Sequence, residues 1–535
     1  MEKLFFGGDI ITMEQESDHP EAVLIRNGII AGIGDLADLK KMVEDESCHL
    51  IDLKGNTLMP AFIDGHGHVT LTAVQTTQAD LSKACCFDDV VQILTDWKES
   101  HQLKEGDPIF GASYDHNFLA EEAHPTSEVL DRVSKTNPIC IWHTSQHMGC
   151  INSAMMKILG YDENTEDPQG GRLGRDPDTG KPNGYIEEAA TFPVRMYQAK
   201  LPIDLRAIVA EGQMIYVRHG VTTIQDGASN EMFVKICRDM AAEGRLFTDV
   251  VAYPAIGAED TIELIRKNRD CLNKYVNHFK IGGLKAVLDG SPQGKSAWMT
   301  KPYENSGDYC GYPWMPDEVV QEGMKMAVDN HLQMLVHCNG DAAGDQFLNA
   351  YEQAYRETDN QKKEELRPVM IHCQTVRDDQ LDRMVKLNMI PSIFVSHVNY
   401  WGDIHLKNLG KERGSRVSPC KSALDRGMIY NFHTDTPVVE PNMFHTIWAA
   451  VNRVTRKGIV LGPEQKIGVY DALKGVTLNA AYAYDEEGSK GSIAPGKRAD
   501  LIIVSDNPLK VDPMKIKDIV VLATMKDGRT IYQKS

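Results

Sequence analysis

The chain is 535 residues long, too long for one small domain and enough for a large domain with an accessory one. It is 42% hydrophobic and 25% charged, so it can bury a sizeable core. A formal net charge of −19 repels phosphate backbones and argues against nucleic acid, and no uncharged apolar run reaches the ~18 residues a membrane span needs.

The N-terminal stretch "MEKLFFGGDIITMEQE" is broken by Gly7, Gly8 and Asp9 and reads as no signal peptide. The eleven cysteines are scattered, which fits a reduced, cytoplasmic protein. "LFFGGDIITM" and "AVLIRNGIIAGIGD" predict short strands with a turn at Asn27-Gly28. The last 45 residues, with "RADLIIV" and "DIVVLATMKDGRTIYQ", are β-rich in the same way. Each end is too short to bury a core alone. Together, 1–60 and 486–535 could pair into one small composite sheet domain.

Between them the pattern alternates. "DVVAYPAI", "QMLVHCNGD", "RPVMIHCQTV", "MIPSIFVSH" and "MIYNFHTDTPV" read as strands, and "DEVVQEGMKMAVDNH" and "DDQLDRMVKLN" as helices. This βαβα rhythm implies an α/β fold with a parallel sheet, and over 61–485 it suits a (β/α)8 TIM-like barrel. Residues 110–200 break the rhythm and read as a loop-rich insertion over one barrel face.

Several strand-like runs end on metal-binding residue types: His66 and His68 in "AFIDGHGHVT", His337, His372, His397 and Asp435. Alternation puts His66 and His68 on one face, and strand ends of a barrel converge. Neutral imidazoles with a carboxylate suit Zn²⁺ or a similar divalent ion. A lone histidine ending a strand is more often a hydrogen-bonded core residue. The combination is harder to dismiss.

The stretches "LMPAFIDGHGH", "LKAVLDGS" with Pro302-Tyr303, "VHCNGDAAGD", "MIHCQTV", "LGKERGSRVSPCKSALDRGMIYNFHTDTPV" and "GSIAPGKRADLIIV" together resemble the amidohydrolase superfamily over nearly the whole chain. Within it they are similar to the amidohydrolase-3 or YtcJ-like branch, which includes N-substituted formamide deformylases. The resemblance implies a barrel with a small β-sandwich, and metal ligands at His66, His68, Lys285, His337, His372 and Asp435. Lys285 falls where relatives carry an N6-carboxylysine that bridges two metals. A protonated ammonium has no lone pair to offer, so one or two ions turns on that modification.

The implied reaction is hydrolysis of a non-peptide carbon–nitrogen bond in an amide, N-formyl amine or cyclic amide. A metal-bound hydroxide attacks, Asp435 acts as general base and then acid, and His372 helps stabilise the oxyanion. The alternatives are a mononuclear deaminase of a ring amidine and a non-catalytic small-molecule-binding member. His147, His397 and His433 are candidate substrate contacts, and Asp64 a candidate group behind an imidazole. Arg172, Arg175 and Arg453 are candidate carboxylate partners. The expected partners are a small-molecule substrate and a second copy of the chain, since relatives often dimerise. "GSPQGKS" at 290–296 reads as the loop after the Lys285 strand, and Cys338 and Cys373 as core residues facing the helix layer.

Overall fold

The computed structural model describes residues 2–44, 47–257 and 261–534. Two parallel sheets form its centre. One carries the strands Phe62–Ile63, Val221–Ser229, Asp249–Pro254 and Phe279–Ile281. The other carries Gly283–Val287, Gln333–Cys338, Val369–His372, Ile390–Ile393 and Asn431–Phe432. Every pairing between neighbours within these two sheets is parallel.

The sheets also meet at both edges. Only Gly282 separates Phe279–Ile281 from Gly283–Val287, and Lys285 bridges in parallel to Ala255. At the other edge, the N–H of Gly65 donates to the carbonyl of Phe432 (3.3 Å) and that of Asp435 to His66 (3.0 Å). Amphipathic helices such as Asp317–Asp329, Asp341–Glu357 and Asp378–Lys386 follow the strands. They pack Met324, Phe347 and Leu381 into the main core. Cys338 and Cys373 are buried in that core, and Cys338 Sγ faces the Ala343 carbonyl on the following helix.

Two further sheets come from the chain ends. One orders Ile29–Gly34, Ala22–Arg26, Glu2–Phe6 and His49–Asp52. The other joins Asp9–Ile10 and Thr57–Pro60 to Leu501–Val504, Val521–Lys526 and Arg529–Gln533. Leu501 lies opposite Pro60 in the antiparallel ladder between the chain ends. Phe5, Val23, Ile25, Leu58, Leu501 and Met525 share one apolar cluster between these sheets. The Asn27-Gly28 turn has φ 52° and 83°, the left-handed pair that a tight hairpin requires.

Residues 110–200 are not the loop-rich segment the composition suggests. A six-stranded sheet of Ala79–Asp80, Ile109–Tyr114, Ile139–His143, Met148–Ile151, Gly171–Arg175 and Pro182–Glu188 runs through and beyond them. It has its own apolar clusters around Ile141 and Trp142. Among the described residues, no helix is long and apolar enough to cross a membrane.

Candidate active site

His66, His68, His337, His372 and Asp435 lie at or just beyond the carboxyl ends of four of the parallel strands, and Lys285 sits in the middle of a fifth, Gly283–Val287. The structure brings them to one place. His68 Nε2 stands 3.2 Å from Asp435 Oδ1, His66 Nε2 3.5 Å from the same oxygen, and His372 Nε2 4.0 Å from Oδ2. Lys285 Nζ lies 3.1 Å from His66 Nε2. The rings of His337 and His372 meet edge to face at 4.3 Å.

The partners behind the rings decide which nitrogen faces the centre. His66 Nδ1 lies 2.5 Å from Gln225 Oε1, and His68 Nδ1 lies 2.8 Å from the Gly227 carbonyl. Both partners are acceptors, so each Nδ1 carries the proton and each Nε2 lone pair is left facing Asp435. His337 Nδ1 is held by Asp289 Oδ1 (3.1 Å), and His372 Nδ1 by His433 Nε2 (3.1 Å). Gln225 and Gly227 sit on the same strand, 159 residues from the two histidines they orient.

Electrostatics keeps the donors available. Burial, reinforced by neighbouring Lys285 and histidine rings, pushes His66, His337 and His372 well below the ordinary imidazole range. Burial lowers the Lys285 amine to about 7, with Asp435 pulling the other way. At Asp435 burial favours the acid, but the facing side chains of His68, His433 and Lys285 more than offset it and hold the carboxyl below its usual range. The backbone at His372 (φ 75°) and Asp435 (φ 54°) is left-handed, a conformation non-glycine residues hold only where surrounding structure imposes it.

A divalent cation fits this donor set. Asp435 Oδ1 is buried without a hydrogen-bond partner, yet two imidazole lone pairs point at it. His66, His68 and Asp435 also present ligand atoms within 4.8 Å of one another. Ligand–ligand edges of about 3.3 Å are what tetrahedral bonds of ~2.0 Å to zinc would give.

The remaining candidates separate. His147 approaches the centre from the inserted sheet, with its ring 5.1 Å from His337 and Nδ1 2.8 Å from Glu188 Oε2. Burial opposes charge on His147, but Glu188 raises it above the ordinary range. His433 is fully buried, wedged between Ser392 Oγ (2.8 Å) and His372 Nδ1. The substrate contact expected of it gives way to a place behind a metal-ligand candidate. His397 does not end a strand. The strand stops at Ile393, and His397 opens the helix His397–Ser415. Its ring faces His405 Nε2 (3.1 Å), with Phe394 packed between it and the rings of His372 and His433.

Among the described residues, no imidazole hydrogen-bonds to Asp64. It accepts from the backbone N–H groups of His66 (3.3 Å) and Thr434 (3.1 Å), tying two ligand-bearing loops together. Arg453 is fully buried on the carbonyls of Leu461, Val417 and Ser418, a structural role. Arg172 and Arg175 pair with Glu187 and Asp167. Gln225, Gly227, Asp289 and Glu188 have no role in the sequence reading. For Gln225 and Gly227 the available signal was the polar triplet Gln225-Asp226-Gly227 closing an apolar strand.

A second cluster, Asp115, His116 and His143, also gathers ligand-type atoms. It differs in being satisfied. Asp115 accepts from Trp401 Nε1 (2.7 Å) and from the backbone and side chain of Asn117 (3.0 Å each), and His143 Nδ1 accepts from the Ser145 N–H (3.1 Å). The Trp401 bond ties the end of the inserted sheet to the helix His397–Ser415.

A parallel α/β frame that delivers four histidines, a lysine and a carboxylate to one point defines a metal-dependent hydrolase. The comparisons agree. The Amidohydro_3 family, described as the amidohydrolase family, matches residues 49–532, and the chain belongs to it. The putative amidohydrolase YtcJ of Bacillus subtilis is 25% identical, covering 100% of both chains. The N-substituted formamide deformylase of Arthrobacter pascens is 24% identical over 99% of this chain and 98% of that one. A solved structure described as an uncharacterized metal-dependent hydrolase from Pyrococcus horikoshii aligns with TM-score 0.76 and 25% identity. It covers 96% of this chain and 99% of that one. The chain is therefore a hydrolase acting on carbon–nitrogen bonds.

Proposed function

We propose that the protein hydrolyses a non-peptide amide, with N-formyl and other N-acyl amines as the substrate class, on zinc held by His66, His68, His337, His372 and Asp435. In this reading the parallel strands close into a (β/α)8 barrel spanning 61–485, and the chain ends (1–60 and 486–535) form a β-sandwich beside it. The observation that carries the reading is the unpartnered Asp435 Oδ1 faced by the Nε2 atoms of His66 and His68.

The ion would lower the pKa of a water and polarise the substrate carbonyl. The chain's residues do the rest. Asp435, held ionised, takes the proton of the attacking water and hands it to the leaving nitrogen, giving a carboxylic acid and an amine. Gln225, Gly227, Asp289 and His433 fix the four imidazoles so that none turns away. Lys285, its amine brought by burial to about 7 and so partly neutral, would add CO₂ with release of a proton to give an anionic carbamate, an oxygen ligand suited to a second ion.

The test is metal analysis of the purified protein, followed by a screen of N-formyl and N-acyl amines. Zinc in the wild type, its loss in His66→Ala, and a fall in turnover of roughly 10²–10⁴-fold in Asp435→Asn are expected. Full turnover by Asp435→Asn would remove the proton-transfer role. A wild type without bound metal would remove the site.

A further inference from the structure

Beside His337, the buried side chains of Glu188, Asn339 and Ser296 meet around Gly290. Glu188 ends the Pro182–Glu188 strand of the inserted sheet with φ 50° and ψ −121°, a conformation side-chain-bearing residues rarely adopt. Its Oε2 accepts from His147 Nδ1. Its Oε1 has no partner. That oxygen stands so near Gly290 that a Cβ there would lie 2.1 Å from it.

Asn339 reaches the same glycine. Its Nδ2 donates to the Gly290 carbonyl (2.8 Å) and lies 3.3 Å from His337 Nε2. This fixes the amide's orientation and leaves Oδ1 unpartnered. Ser291 follows Gly290, and its Oγ is unpartnered too. It lies next to Met148, for a Cβ on Gly294 would approach both Ser291 Oγ (3.0 Å) and Met148 Cε (2.4 Å). Gln293 Oε1, on the same loop, is a fourth such atom. The four residues are between 3% and 4% exposed.

Buried polar atoms are normally paired, so four unpaired ones around one loop, with Asn339 against His337 and Glu188 against its neighbour His147, call for a partner. Their chemistry is one-sided. A carboxylate oxygen and two amide oxygens can only accept, and a hydroxyl can do either. Among the described residues, the one ion-pair partner of Glu188 is His147.

We infer that this acceptor-lined corner binds a hydrogen-bond-donating group on the substrate. The enzyme then prefers carbon–nitrogen substrates that carry an ammonium or hydroxyl group over those ending in a methyl or a carboxylate. A methyl would leave the acceptors unpaired, and a carboxylate would face Glu188. The inference rests on the function proposed above.

Two measurements test it. The first compares kcat/KM for N-formyl amines of matched length that end in ammonium, hydroxyl, methyl or carboxylate. The two donors are expected to exceed the methyl compound about tenfold or more, with the carboxylate lowest. Glu188→Gln keeps an oxygen acceptor but removes the charge, so it should erase most of the ammonium's advantage and spare the hydroxyl's. Ser291→Ala, a smaller change, should narrow both. A methyl or carboxylate substrate as good as the donors overturns the inference.

The second measurement is calorimetric binding of 1,4-diaminobutane, 4-aminobutanol, pentylamine and 4-aminobutanoate to the Asp435→Asn protein, which needs no turnover. The same order supports the corner, and equal affinities refute it. The order of binding without any formamide hydrolysis would leave the corner standing and remove the proposed reaction. Hydrolysis without any order would do the reverse.

Discussion

Lys285 Nζ lies 3.1 Å from His66 Nε2, at a point where an ammonium would compete with a metal ion for the same space. The two cannot coexist as cations, since a protonated lysine offers no lone pair and repels the ion. Burial resolves the conflict by bringing the amine to about 7, so a large neutral fraction exists at physiological pH. A neutral amine can add CO₂. Stripped protein reloaded with zinc should therefore take up more metal when bicarbonate is present. Lys285→Ala should lower the content from about two ions to about one and abolish the bicarbonate effect. Elemental analysis reads both, and metal content indifferent to bicarbonate and to the substitution would refute the carbamate.

His433 makes a different prediction from the one its sequence position invites. It stands two residues before Asp435 but turns to His372, with Ser392 on its other side. A partner that orients a metal-bound imidazole typically contributes 10–100-fold in metal affinity. His433→Phe fills the same space without a ring nitrogen. It should weaken zinc affinity by roughly that factor in a competition titration, with little change in the substrate preference of the fully loaded enzyme. A changed preference at unchanged affinity would return His433 to the substrate.

These two cases mark how far the sequence could be read. The His-x-His pair was legible because strand alternation places both side chains on one face, and His337, His372 and Asp435 because apolar runs lead up to each of them. Lys285 came only from resemblance. The partners were illegible because they come from distant positions: Gln225 and Gly227 lie 159 residues from His66 and His68. His397 misled because "SIFVSH" looks like one strand, whereas the ladder ends at Ile393 and the chain turns into a helix. In the insertion, "GGRLGRDPDTGKPNG" is dominated by turn residues. Its strands, Gly171–Arg175 and Pro182–Glu188, pair with each other across a tight turn held by Asp176 and Thr179.

Asp249 yields a stability prediction away from the site. It is fully buried at the start of a parallel strand and pairs with Lys490, Lys526 and Arg498 from the C-terminal segment. Burial alone would raise its pKa, but the two lysines hold it well below the ordinary range. A lowered carboxyl contributes stability that is complete above its unfolded pKa of about 3.9 and is lost as pH falls through the folded value. Lys490 is shifted upward by Asp249 and Glu486 against the effect of burial, so its contribution holds below about 10.4 and is lost only as pH rises further. Asp249→Asn leaves two buried lysines short of charge and should cost about 3–5 kcal/mol. Urea unfolding should show that difference undiminished at neutral pH and shrinking below about pH 4. A difference that ignored pH would mean that packing, not charge, is being measured.

Gly227 tests whether the two histidines depend on the strand beside them. Its carbonyl fixes His68, and a Cβ added to it would stand 2.6 Å from His66 Cε1 and 3.1 Å from His68 Cε1. The nearer contact is closer than carbon atoms approach, so Gly227→Ala must push the His66 ring or the strand itself. The strand is paired with Asp249–Pro254 along its length, and on the other side the Gly227 N–H donates to the Gly67 carbonyl (3.0 Å). The ring is therefore the part that moves, carrying Nε2 off its line to Asp435. The expected result is a folded protein, with near-native circular dichroism, that has lost most of its zinc. A variant that kept its full metal content would show that the imidazoles can shift by several tenths of an ångström without leaving the ion, and that Gly227 is required only for packing.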